Sequence, residues 1–273
     1  MKPFLKSLHI YPVKSCHRVD LDAAEVEPWG LAGDRRWMIT DAEGLMRTQR
    51  VLPRLALIRP SYAADGVLRL HAPGMPDLEV APPLRGAGAE QAKVTVWHFN
   101  GPAARAGGAA DEWLSAFIGE PSMLVYMDDT SARPTDAQYS RAEDRVSFAD
   151  GYPLLLASAA SLEALNDWIV EMGGPPVPMT RFRPNVVIEG AEPWAEDDWQ
   201  RVRIGGQVFR AVKRCARCVM TTVDPEHGVF AGQQPLKALR KHRRVDKSVF
   251  FAVNLIPDTV GPIEIGEGVE VLD

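Results

Sequence analysis

The sequence predicts a mixed, mainly β fold, and three observations carry that prediction. Short runs of β-branched, aliphatic and aromatic residues recur along the chain, many of them about a dozen residues apart, as in small barrels and sandwiches. Turn punctuation such as Ala64-Asp65-Gly66 and the APGMP stretch at 72–76 separates them, and the 22 glycines and 22 prolines exceed the usual share. Helical spacing of apolar residues, by contrast, is confined to three segments.

In chain order, the first strand is expected over 5–13, where β-formers alternate loosely. RWMIT at 36–40 reads as a short strand running into a turn at 41–44. LALI at 55–58, VLRL at 67–70 and VTVW at 94–97 follow as strands, with small-residue loops at 86–88 and 107–110. A helix is expected over 111–118: Asp111 can cap it, Trp113, Leu114, Phe117 and Ile118 form one face, and Gly119 can end it. Gly119-Glu120-Pro121 marks a domain edge, dividing the chain into 1–120 and 121–273. PLLLA at 153–157 is a buried strand. Ser161 can cap a helix in which Leu162, Leu165, Trp168 and Ile169 recur, stopped by the GGPP run at 173–176. Strands are expected at 185–188, 199–204, 208–212 and 218–223, a short basic helix at 236–242, and closing strands at 250–255 and 269–272.

Composition bounds the function. Hydrophobic residues are 46% and charged residues 25% of the 273, enough for a sizeable core and against a mainly disordered chain. A net charge of −5 argues against a protein that coats nucleic acid. No run reaches about 18 apolar residues, so no membrane span is expected. The N-terminus lacks a signal-peptide pattern. Three cysteines are too few for a disulfide framework or a four-cysteine cluster. A cytoplasmic protein with reduced thiols is the expectation. Neither a GxGxxG fingerprint nor a P-loop occurs, so the chain carries no recognisable nucleotide site.

Cys215-Ala216-Arg217-Cys218 is the most conspicuous motif. It can be half of a zinc site, with Cys16 and His227 as distant further ligands. It can be a redox dithiol, although the β-branched run after it is poor helix. It can be a pair of small buried residues in a strand. Arg214 and Arg217 bracket it and would favour a thiolate, and a soft thiolate suits a metal that brings most of its own ligands. Arg181-Phe182-Arg183-Pro184-Asn185 can grip a phosphate or form surface salt bridges. Tyr11-Pro12-Val13-Lys14-Ser15, Gly33-Asp34-Arg35 and Thr48-Gln49-Arg50 each set a cation near a strand end or turn, which singly is more often a solvated turn.

Together these stretches resemble the molybdenum cofactor sulfurase C-terminal (MOSC) superfamily, in particular its two-domain members related to the mitochondrial amidoxime-reducing component and its bacterial relatives. The resemblance rests on YPVKSC at 11–16, GDRRW at 33–37, TQRVLPRL at 48–55, FADGYPLLLAS at 148–158, RFRPNVVIEG at 181–190, EDDWQRVRIG at 196–205 and CARCVMTTVDPEHG at 215–228. It implies an N-terminal β-barrel-like domain over 1–120 packed on a MOSC β-barrel with flanking helices over 121–273, and a molybdenum cofactor (Mo-molybdopterin) held between them. It implies Cys218 as the molybdenum ligand and catalytic centre, with Cys215 structural or in an outer layer. It implies Lys14, Ser15, Arg35, Arg50, Arg183 and Asn185 as cofactor-binding residues. Ala216 stands where some relatives have Ser, which removes one side-chain hydrogen bond near the metal.

The activity so implied is reduction of hydroxylamines, amidoximes and N-hydroxylated bases. The electrons would come from a separate ferredoxin- or cytochrome b5-like carrier and its reductase, since the fused ferredoxin-like domain of some bacterial relatives is not expected after the last strand near 272. The alternative is a cofactor-binding or sulfur-handling protein that delivers cofactor or sulfur to a client enzyme. The partners expected are thus a small-molecule substrate and an electron carrier, with no nucleic acid and no membrane. The basic run of Lys237, Arg240, Lys241, Arg243, Arg244 and Lys247 can dock an acidic carrier, or be an ordinary solvated face.

Overall fold

The structure, a computed structural model, describes residues 2–83 and 88–272. Its largest element is a nine-stranded sheet in the order Val19–Leu21, Phe4–Ile10, Val186–Glu189, Leu154–Ser158, Ser248–Pro257, Gln207–Ala216, Arg201–Ile204 and Val269–Val271, with Arg244–Val245 pairing Ser248–Pro257 off this path. Leu154–Ser158 is buried along its whole length because it is paired on both sides and covered on both faces. One face of the sheet encloses a core that includes Leu5, Leu8, Leu156, Ile188, Phe209 and Leu255. Helices α2 (Ala159–Glu171) and α3 (Leu236–His242) close a second core around Leu165, Ile169, Phe182, Leu239 and Phe251.

A four-stranded sheet, Trp37–Thr40, Met123–Tyr126, Phe99–Arg105 and Gln91–Val96, and a three-stranded one, Arg59–Tyr62, Leu68–His71 and Leu78–Val80, make up much of the other layer. Helix α1 (Gly108–Ile118) lays Trp113, Leu114, Phe117 and Ile118 into their shared core. Pairing interleaves the two halves of the chain. Phe4–Ile10 lies antiparallel to Val186–Glu189, and Met123–Tyr126 pairs with Trp37–Thr40. The mainly β class expected from the sequence is the class observed. Among the described residues no helix is long and apolar enough to cross a membrane.

Several local expectations are corrected. Residues 55–58 are no strand: Pro53–Leu57 is a 3-10 helix, because Pro53 sits at its start and Leu55 and Ala56 turn into the core. Residues 218–223 are likewise no strand. Val219–Thr222 forms a 3-10 turn in which Thr221 Oγ1 and Thr222 Oγ1 donate back to the Cys218 and Val219 carbonyls. That side-chain bonding overrides their β preference. Asp111 does not cap α1; its carboxylate accepts from Leu124 N at 2.9 Å and pairs with Arg105 at 2.5 Å. Gly119 does end α1, in the left-handed conformation at φ 88°. Ser158, not Ser161, precedes α2, and Ser161 Oγ is buried against Glu196. Strands such as Ala23–Glu27, Phe99–Arg105 and Met123–Tyr126 escape sequence reading because they are short or rich in Ala, Gly and charge. Of the small-residue loop expected at 86–88, residues 86 and 87 lie outside the described residues.

Candidate functional site

The segment after Phe4–Ile10 and those before Leu154–Ser158 and Val186–Glu189 meet at one end of the large sheet, since these strands are neighbours in it. Gly30 tightens the junction. A Cβ there would lie 2.9 Å from the Pro153 carbonyl oxygen, and φ is 133°. The result is a cleft of about 100 Å³ whose walls include Lys14, Ser15, Arg35, Arg183, Asn185 and Cys215. Five residues separated by up to 171 positions in sequence, Lys14, Ser15, Arg35, Arg183 and Asn185, thus share one wall system.

Backbone strain is concentrated there. Ser15, Arg35 and Arg183 adopt left-handed conformations at φ 66°, 48° and 56°, which non-glycine side chains rarely tolerate without a reason. The strain aims three polar side chains into one space. Both guanidinium groups flank the same ring: Arg35 and Arg183 lie 4.4 and 4.1 Å from the Tyr11 centroid. Arg35 Nη1 donates to Asp34 Oδ2 at 2.6 Å and Asn185 Oδ1 at 3.1 Å. Asn185 Oδ1 also accepts from Leu155 N at 3.2 Å, so this amide joins three elements. Arg183 Nη1 donates to the Cys16 carbonyl at 2.7 Å, while its buried Nη2 has no partner.

Charge accumulates without full compensation. Burial pulls the Arg183 guanidinium down to about 10, with Arg35 working in the same direction against the help of Tyr11. Burial pulls Lys14 down to about 8 despite Asp150, which accepts from Lys14 Nζ at 2.5 Å. Lys14 Nζ also donates to the Phe148 carbonyl at 2.8 Å. Asp150 bridges to Arg50, whose Nη2 lies 2.9 Å from Asp150 Oδ2. Crowding by protein opposes the Asp150 charge, but Lys14 and Arg50 outweigh it and hold the carboxyl far below the usual carboxylate range, although half its side-chain surface faces solvent. Arg133, 5% exposed, clamps this loop by donating to the Ser147, Ala149 and Asp150 carbonyls at 2.5, 2.5 and 2.9 Å.

The cysteines divide. Cys215 lines the main cleft and accepts from Arg217 Nη1 at 2.9 Å. Cys218, at the start of the 3-10 turn, opens into a neighbouring depression with Arg217, Arg240, Arg244 and Lys247. Arg50 joins Cys218 to the cleft: burial opposes its charge, while Asp150 and Cys218 favour it. The expected role of Arg214 is corrected, because it turns to Asp198 at 3.0 Å rather than toward either thiol. Arg181 is also outside the cleft, donating to the Thr222 carbonyl at 2.8 Å. Cys16 is fully buried, with its thiol pushed up to about 12 by burial, and His227 is 76% exposed beside Asp224. Among the described residues no three His, Cys, Asp or Glu side chains converge as a metal site. An anionic, metal-carrying group fits what is present: strained cations around one cleft, an unmet buried guanidinium N–H, and a thiol at the rim.

Sequence reading missed Asp150, Arg133 and Trp97. Asp150 lies inside the FADG stretch, where an acidic residue between Ala149 and Gly151 ahead of an apolar strand was the available signal. Arg133 gave none, because its role depends on carbonyls 14 to 17 residues away.

Two family models match the chain. The MOSC N-terminal beta barrel domain matches residues 2–121, and the MOSC domain matches residues 143–270. A Xenopus laevis protein, mitochondrial amidoxime-reducing component 1, is 34% identical over 255 residues, covering 90% of this chain and 73% of that protein. The Homo sapiens protein of the same name is 34% identical over 284 residues, covering 97% of this chain and 82% of its own length. A molybdenum cofactor sulfurase of Oryza sativa subsp. japonica is 30% identical over 264 residues, which span 92% of this chain but 32% of the sulfurase.

Proposed function

The chain belongs to the MOSC family, alongside the two-domain amidoxime-reducing components, and from that premise we propose that it is a molybdenum-cofactor oxidoreductase that reduces N-hydroxylated compounds. The observation that carries the reading is the cleft of Lys14, Ser15, Arg35, Arg183 and Asn185 with an unmet Arg183 Nη2, set beside Cys218 and Arg50. When bound, the cofactor supplies a molybdenum centre able to exchange two electrons and one oxygen atom.

The chain's own residues position and neutralise. Lys14, Arg35 and Arg183 hold the anionic part, and sharing the load is needed because a single cation compensates a partly buried multiple charge poorly. Asn185 fixes the Arg35 fork, and the Tyr11 ring fixes both guanidiniums. Cys218 offers its sulfur to the metal, with Arg50 beside it. Arg217 engages Cys215 and keeps that sulfur a positioning group. Asp150 ties Lys14 to Arg50, linking the anion wall to the thiolate rim.

Electrons come from a separate carrier in this reading. Arg240, Arg244 and Lys247 line the depression that holds Cys218, and among the described residues none of them has a carboxylate partner. An acidic carrier meeting these cations is brought close to the metal ligand. The deciding experiment is metal and pterin analysis of the purified protein, followed by turnover of a hydroxylamine with reduced viologen. Molybdenum and pterin in equal amounts with turnover support the reading. A persulfide on Cys218, with no turnover, overturns it in favour of sulfur handling.

A further inference from the structure

Arg133 is a buried cation whose acceptors, among the described residues, are all uncharged. It lies in the long irregular segment between Met123–Tyr126 and Leu154–Ser158. Its Nη1 serves the Ser147 and Ala149 carbonyls and its Nη2 the Asp150 carbonyl, while Lys14 Nζ takes the Phe148 carbonyl between them. Four consecutive carbonyls, 147 to 150, thus face two cations. The stretch belongs to no strand, so no ladder is available to these groups. On its amide side, Val146 N donates to the Arg133 carbonyl at 3.1 Å and Phe148 N to the Arg35 carbonyl at 2.9 Å. The backbone of 146–150 is therefore held between Arg133 and two residues of the cofactor-type cleft, Lys14 and Arg35.

What this holds in place is the Asp150 carboxylate, which spans Lys14 Nζ and Arg50 Nη2. Trp97 covers the same group from outside, at the turn between Gln91–Val96 and Phe99–Arg105. Its ring lies 4.6 Å from the Arg50 guanidinium and its Nε1 donates to Asp150 Oδ1 at 3.3 Å. Trp97 stands at φ 54°, unfavourable for so bulky a residue, and strain of this kind persists where the surroundings demand one geometry. Arg133 is strained in another way. Burial pulls its guanidinium down to about 10, with Asp150 working against the fall. Because its acceptors are neutral, its charge is not cancelled by them, and Lys14 feels it as repulsion.

We propose that Arg133 is a positioning residue for the anion wall: its planar fork locks the 147–150 backbone so that the Phe148 carbonyl and the Asp150 carboxylate hold Lys14 and Arg50 where an anionic cofactor meets them. The inference rests on the cofactor reading for the identity of the ligand, but the clamp itself is testable without it. Lysine does not replace arginine here, since an ammonium is a point charge and does not reproduce a rigid fork set over three carbonyls.

The test uses R133K and R133Q in the full protein, with R133K decisive should R133Q not fold. In cofactor-stripped protein, hydrogen exchange over 146–153 is expected to be about tenfold faster in the variants than in wild type, and exchange over the distant strand Leu68–His71 unchanged. Molybdenum and pterin content after dialysis is expected to show retention weakened about 10- to 100-fold in both variants, as when a group supporting a ligand is lost. D150N is expected to weaken retention too, and the R133K/D150N double variant to lose less than the two single losses combined, because both act through one loop. Unchanged exchange over 146–153, full retention in R133K, or losses that add in the double variant overturn the proposal. Wild type without pterin, with exchange still faster in R133K, leaves the clamp standing and refutes the cofactor reading instead.

Discussion

Replacing Arg183 by Met separates holding a cofactor from holding the fold. Met keeps the Cβ, so the left-handed backbone at φ 56° costs the same in both proteins. It removes a charge that burial draws from the ordinary 12.5 to about 10, which corresponds to a folded-state penalty of about 3 kcal/mol for keeping the group charged at neutral pH. It also removes the Nη1 bond to the buried Cys16 carbonyl, a loss of about 1.5–3 kcal/mol. The two nearly cancel. Cofactor-stripped R183M should therefore melt within about 5 °C of stripped wild type. Cofactor retention behaves differently, because the unmet Nη2 has no role in the stripped protein. Losing a charge-assisted bond to an anion, about 1.5–3 kcal/mol, predicts roughly 10- to 150-fold weaker retention. Calorimetry on stripped protein, with molybdenum and pterin content of protein as purified, measures both. Full cofactor content in R183M would refute the anion-site argument, and a drop of well over 10 °C would make Arg183 a structural residue.

Cys218→Ser should abolish viologen-driven turnover and leave a folded protein, whereas Cys215→Ser should be milder; the opposite order would transfer the ligand role to the thiol in the main cleft. Asp150, held below the usual carboxylate range, contributes stability that is present above about pH 4 and lost as pH falls below it. Melting temperature in D150N should therefore fall less steeply between pH 5 and 3 than in wild type, and parallel curves would show the pair to be idle. Neutralising Arg240, Arg244 and Lys247 together should slow turnover with an acidic protein carrier at low salt and change viologen-driven turnover far less, since exposed charges are screened over about 8 Å at physiological salt. Equal rates with the carrier would leave α3 and its flank an ordinary solvated edge. Given NADH alone, the protein should not turn over hydroxylamine, and robust activity would rule out a separate donor.

The sequence by itself determined the β class, the three helices and most of the cation set. Those features are local: Leu154–Ser158 announces burial by an unbroken apolar run, α1 shows its Trp113, Leu114, Phe117 and Ile118 face, and Lys14, Arg35 and Arg183 stand in compact motifs. Where local chemistry competes with propensity, reading failed. The hydroxyls of Thr221 and Thr222 fold back on carbonyls, and Pro53 starts a 3-10 turn in a stretch whose composition favours a strand. Tertiary structure alone decided which cations converge. Arg181 and Arg183 are two residues apart, yet Arg181 serves the Thr222 carbonyl while the left-handed turn at Arg183 swings its side chain onto Tyr11. Asp150 and Trp97 acquire meaning only when strands far apart in sequence pair, because a carboxylate or an indole becomes part of a site through the charges and rings that the fold brings within about 3 to 5 Å of it.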